Sequence, residues 1–135
     1  MFSDLNYLAI AACAAIYWVL GGVWYAAIFS KSYQAALNFS AEEKARATKD
    51  FPKALAAHFV SGLISSFIIA GLVGALGANS FISGMGYGLL LWLAFAFTIN
   101  LNYIMFERRP AALFLINNGF FLIAFAIVGG VLSVW

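Results

Sequence analysis

Three long stretches of the chain carry no Asp, Glu, Lys or Arg: Leu5 to Ser30, Ala54 to Phe106, and Ala111 to Trp135. A membrane-spanning helix needs about 20 apolar residues, so the middle stretch is long enough for two. Its natural break is the run "GANS", Gly77 to Ser80, where glycine and small polar residues favour a tight turn. The pattern predicts four spans: Leu5 to Phe29, Ala54 to Leu76, Phe81 to Phe106, and Ala111 to Trp135. Residues 30–53 form a connection with a pattern of its own. Phe29, Tyr33 and Leu37 recur at i, i+4, i+8, which points to an amphipathic turn or two lying on the bilayer face. Next, "SAEE" sets Ser40 as N-cap and Glu43 at the third helical position, a capping box opening a short charged helix that ends near Pro52. The predicted fold is therefore an all-α integral membrane protein in a single domain, a bundle of four transmembrane helices with a short amphipathic and charged helical connection between helices one and two.

Composition supports lipid as the solvent. With 65% hydrophobic and 9% charged residues in 135, the chain has too few ionic groups to cover a soluble domain. Charge placement adds an orientation. All seven cations lie on two connections: Lys31, Lys44, Arg46, Lys49 and Lys53 on the first, Arg108 and Arg109 on the last. Positive loops stay in the cytoplasm, so both termini and "GANS" are expected outside, as for an inner-membrane protein with N-out and C-out topology. The net charge of +2 is no nucleic-acid footprint, because the cations are juxtamembrane and interleaved with Glu42, Glu43 and Asp50. "MFSDLN" lacks the positive n-region of a signal peptide, so the first span reads as a retained helix. Cys13 is the only cysteine, which excludes an intramolecular disulfide.

Polar residues inside the spans carry what functional information there is. On span three, Gly84, Gly88, Leu91, Phe95, Thr98 and Asn102 follow helical spacing, so one face runs from a GxxxG contact to two polar groups. Asn100 is expected roughly opposite Asn102, since two residues turn a helix by about 200°. Span four has Asn117 and Asn118, and span two has His58, Ser61 and Ser65 on one face. Span one supplies Trp24 and Tyr25. All four helices thus aim polar or amphipathic groups at the cytoplasmic third, closed by Glu107, Arg108 and Arg109. Intramembrane polar groups are candidate sites by default, yet asparagines also serve as interhelical glue. Glu107 with Arg108 reads as an ion pair, and Tyr7, Trp24, Tyr25 and Trp135 as interfacial anchors. His58 could titrate or ligate, but one ligand per chain makes no conventional metal site without symmetry-related copies, and packing is the plainer role. No GxSxG, HExxH, P-loop, CxxC or EF-hand pattern occurs, so neither a catalytic residue nor a cofactor is assigned. A small-residue stripe, Gly119, Ala126, Gly130 and Ser133, would let span four approach a second copy.

Four blocks carry a family likeness: "NYLAI", "GGVWY", "LLLWLAF" and above all "FERRPAALFLIN". Together they resemble the bacterial membrane proteins grouped as domain of unknown function 1761, over almost the whole chain. The resemblance implies a four-helix membrane protein and no biochemical activity. Its matching positions are Trp24, Tyr25, Asn102, Glu107, Arg109, Pro110 and Asn117. Where the family pattern continues Trp-Tyr with Ser-Pro this chain has Ala26 and Ala27, and Phe120 stands where a tyrosine often follows glycine.

Three functions fit the residues. One is a homo-oligomeric transporter or channel that binds or passes a small polar or ionic species through the polar layer. Another is a non-catalytic accessory or scaffold subunit of a larger membrane complex, its asparagines met by partner helices or lipid headgroups and its basic connections by anionic lipid. The last is a lipid-handling enzyme using His58 and Glu107. The leading expectation is a non-enzymatic, self-associating protein in the lipid bilayer, with no nucleic-acid partner.

Overall fold

The computed structural model describes all residues, Met1 to Trp135, and contains helices and turns with no strand. Span one comprises α1 (Tyr7–Gly22) and a π-helical segment, Val23–Ile28. After the short α2 (Ser30–Leu37), span two is the charged-end extension and membrane part of one helix, α3 (Ala41–Ala75). Span three is α4 (Phe81–Leu91), a second π-helical segment, Trp92–Phe97, and α5 (Thr98–Glu107), and span four is α6 (Ala111–Leu132). All four are long and apolar enough to cross a membrane.

Local chemistry explains where the helices begin and end. Asn6 caps α1 by accepting from the Ala9 N–H at 3.0 Å. Ser40 and Glu43 form the predicted capping box, and Ser80 with Ser83 forms a second one at the start of α4. Gly77, φ 68°, provides the left-handed turn residue between spans two and three. Asn38 and Arg108 end α2 and α5 in the same left-handed conformation.

The connection departs from expectation in two ways. The charged helix does not stop near Pro52: α3 runs unbroken through it for 35 residues. Proline removes the backbone bond to Thr48, but this stretch is exposed outside the apolar run, where water can serve the freed carbonyl. Nor does α2 present its apolar face to the bilayer. It packs against α6, with Tyr33 and Leu37 half-buried.

Packing is uneven. Spans one and two pair closely, spans three and four pair closely, and span four packs substantially against both pairs, whereas spans two and three barely touch. Cys13, Ile69, Val73 and Val128 make one buried cluster, and Tyr17, Phe120 and Ala124 another. Spans three and four meet through glycine: a Cβ on Gly84 would overlap Ser133 and the Gly129 carbonyl, and one on Gly88 the Phe125 carbonyl. The span-four stripe expected to meet a second copy is thereby occupied within the chain. Gly119 lies on Trp24, Gly130 on Phe81, and Ser133 against Gly84.

Candidate functional site

Both π-helical segments open with or contain a tryptophan, and each tryptophan reaches span four. A π-turn accommodates an extra residue, which rotates the following side chains by roughly 100° relative to an uninterrupted α-helix. In span one, Trp24 donates its indole N–H to the Ile116 carbonyl at 2.9 Å, its ring lying on Gly119. The neighbouring Tyr25 donates its hydroxyl to Asn117 Oδ1 at 2.8 Å. From span three, Trp92 donates its indole N–H to the Asn118 carbonyl at 3.0 Å. Two indoles therefore grip one turn of span four from two sides. These hydrogen bonds satisfy donors that would otherwise be stranded in hydrocarbon.

Aromatic rings fill the layer beneath. Phe120, fully buried, lies 5.1 Å from Tyr17, 5.5 Å from Tyr25 and 5.5 Å from His58, centroid to centroid. His58 lies against Tyr17, ring centroids 4.9 Å apart and planes tilted by 36°, and its Nε2 occupies the notch left by the missing side chain of Gly21. That nitrogen has no hydrogen-bond partner. No three His, Cys, Asp or Glu side chains converge. The ring fills space between spans one, two and four.

The expected polar layer is only partly assembled. Trp24, Tyr25, His58 and Asn117 do come together, with Trp24 and Tyr25 bonded to span four and not serving as surface anchors. Asn118 faces the other way, toward span three. It is 5% exposed, donates to the Phe114 carbonyl at 3.0 Å and leaves Oδ1 without a partner. Ser61 faces outward and returns its hydroxyl to Ala57, while Ser66 takes the buried position on that helix.

Span three reverses the expectation for its asparagines. The extra residue of the π-turn shifts register, so Asn100, bonded to the Ala96 carbonyl at 2.8 Å, is the half-buried one. Thr98 and Asn102 are exposed. At the boundary Glu107 pairs with Arg109 and not with Arg108, because Arg108 takes up the helix-ending left-handed turn. Arg109 also covers the Tyr103 ring at 4.2 Å. Outside the spans, hydrogen bonds from Ser40 hold the Glu43 carboxyl below its usual range.

Trp92, Tyr17 and Phe120 were not marked by the sequence as site residues. Trp92 carried a usable signal, since an indole N–H deep in an apolar span needs an acceptor. Tyr17 and Phe120 looked like any aromatic on a lipid-compatible helix.

Among curated proteins and among solved structures, nothing matches this chain. A family model does, over residues 8–133, and its family is described as "Protein of unknown function (DUF1761)". The matched stretch takes in all four spans and both indole contacts on span four, and by it the chain belongs to the DUF1761 family.

Proposed function

We propose that this protein is a non-enzymatic homo-oligomer of the membrane, whose copies meet along the charged-end half of span three. One observation carries the reading: from within the second π-turn onward, Phe95, Thr98, Asn102 and Met105 form an exposed stripe at helical spacing. Thr98 satisfies its hydroxyl on the Ala94 carbonyl, 2.7 Å away, whereas the Asn102 carboxamide makes no such bond. The hydrocarbon of the bilayer cannot supply a partner to that carboxamide, but the same residue on a second copy can. Within each bundle the polar layer is closed by Trp24, Tyr25, Phe120 and His58. A small polar or ionic species would therefore bind or pass between copies, beside Thr98 and Asn102, and not through the bundle.

The test uses a Cys13→Ala background carrying a single cysteine at Thr98, Asn102 or, as a lipid-facing control, Leu115. Oxidation in native membranes should give cross-linked dimers from Thr98→Cys and Asn102→Cys and none from Leu115→Cys. Absence of dimers from the span-three positions, or their loss in favour of an adduct with a different protein, overturns self-association.

A further inference from the structure

A groove runs between spans one and two on the side away from span four's indole contacts, lined by Ala15, Trp18, Leu55, Ala56 and Phe59 and about 400 Å³ in volume. Its walls are held. Trp18 donates its indole N–H to the Leu55 carbonyl at 3.0 Å, and its ring meets Phe59 edge-on at 6.4 Å. Toward the charged end, Gly22 is exposed and nothing lies within 4 Å of where its Cβ would stand, so that side is also unfilled.

Charge continues from the groove along one helix. Lys49, Lys53 and Ala56 are spaced i, i+4, i+7 on α3 and share a face. Both lysines are exposed, and Lys53 immediately precedes the apolar run that begins at Ala54. That places the ammonium groups at headgroup level and the groove at acyl-chain level. Lys49 has no ion pair. Lys53 touches only Asp50, at 3.3 Å in an exposed contact that a competing anion can displace. Glu42 is already engaged by Arg46, and Glu43 by the Ser40 cap.

We infer that this groove is a binding site for one anionic phospholipid, its headgroup held by Lys49 and Lys53 and an acyl chain lying between Trp18, Ala56 and Phe59. The apolar walls accept any chain, and the two lysines select the negative headgroup.

Native mass spectrometry of the delipidated protein in mild detergent tests this, with phosphatidylglycerol and phosphatidylcholine of identical chains titrated in. The wild type should retain one phosphatidylglycerol in preference. Lys49→Ala and Lys53→Ala should each weaken that lipid roughly 5-fold and leave phosphatidylcholine unchanged. Lys44→Ala, on the opposite face of α3, should change neither. Ala56→Leu should weaken both lipids by filling the groove. Equal retention of the two lipids by the wild type, or an undiminished preference in the Lys49→Ala/Lys53→Ala double variant, overturns the site. Glycerol phosphate matching phosphatidylglycerol in affinity would likewise overturn it, since the acyl chain would then contribute nothing.

Discussion

Replacing Gly88 with alanine adds one methyl group at the closest approach of two helices. The new carbon would fall on the Phe125 carbonyl, within contact of the Ala126 nitrogen. Backbone cannot rotate aside as a long side chain can, so spans three and four must move apart, losing packing at Gly84 and Gly129 as well. Overpacking of this kind costs about 1–3 kcal/mol. Gly86, two residues earlier, has nothing within 4 Å of its Cβ direction, and alanine there gains helix propensity of up to about 1 kcal/mol. The two variants add the same atoms to the same helix, so their difference isolates the interface. The assay is built into the chain: Cys13 is the only cysteine and is 0% exposed, packed with Val73 and Val128, so a maleimide reaches it only when the bundle opens. Labelling during thermal scans in detergent should begin at lower temperature for Gly88→Ala than for wild type, and no lower for Gly86→Ala. Identical labelling curves for Gly88→Ala and Gly86→Ala would refute the claim that glycine sets this contact.

The remaining expectations concern single groups. Trp24→Phe and Trp92→Phe each remove an indole donor while leaving the ring, and should each cost about 0.5–1 kcal/mol by the same labelling assay. Gly21→Ala drives a methyl into the His58 ring and should be destabilising by about 1–3 kcal/mol. In a His58→Ala background that cost should largely vanish, and an additive double mutant would count against the notch. The depressed Glu43 carboxyl makes order at the start of α3 pH-dependent. Stabilisation is complete above the free carboxylate value of about 4.3 and is lost as pH falls through the lower folded value. Hydrogen exchange over residues 41–45, corrected for intrinsic rates, should show less protection at pH 3 than at pH 7, and Glu43→Gln should abolish the difference.

Hydrophobic runs predicted the four long apolar helices because burial in lipid imposes length directly, and the GANS turn and the Ser40 cap were readable because each rests on neighbouring residues. Faces were harder. Extending a 3.6-residue period from Gly84 to Asn102 assumed an uninterrupted α-helix, and the π-turn at Trp92–Phe97 exchanged Asn100 with Asn102 as the residue facing span four. Trp24 and Tyr25 looked like interfacial anchors because their acceptors, Ile116 and Asn117, lie far along the chain. Ser61 and Ser66 differ only by side of one helix, and choosing between them requires knowing which side the other spans cover.

What the sequence determined by itself is therefore whatever depends on local composition: an all-helical membrane protein, four spans, the Ser40 cap and the segregation of cations to one end. What the tertiary structure alone decided is which polar groups meet. Span four lies at the centre, its turn from Ile116 to Asn118 is gripped from two sides by indoles on backbone carbonyls, and Thr98 with Asn102 is left outside. The physical reason is that a helix satisfies its own backbone wherever it sits, so the spans form without one another. Side-chain donors such as the Trp24 and Trp92 indoles have no partner on their own helix, and only the packing of one span against another supplies it.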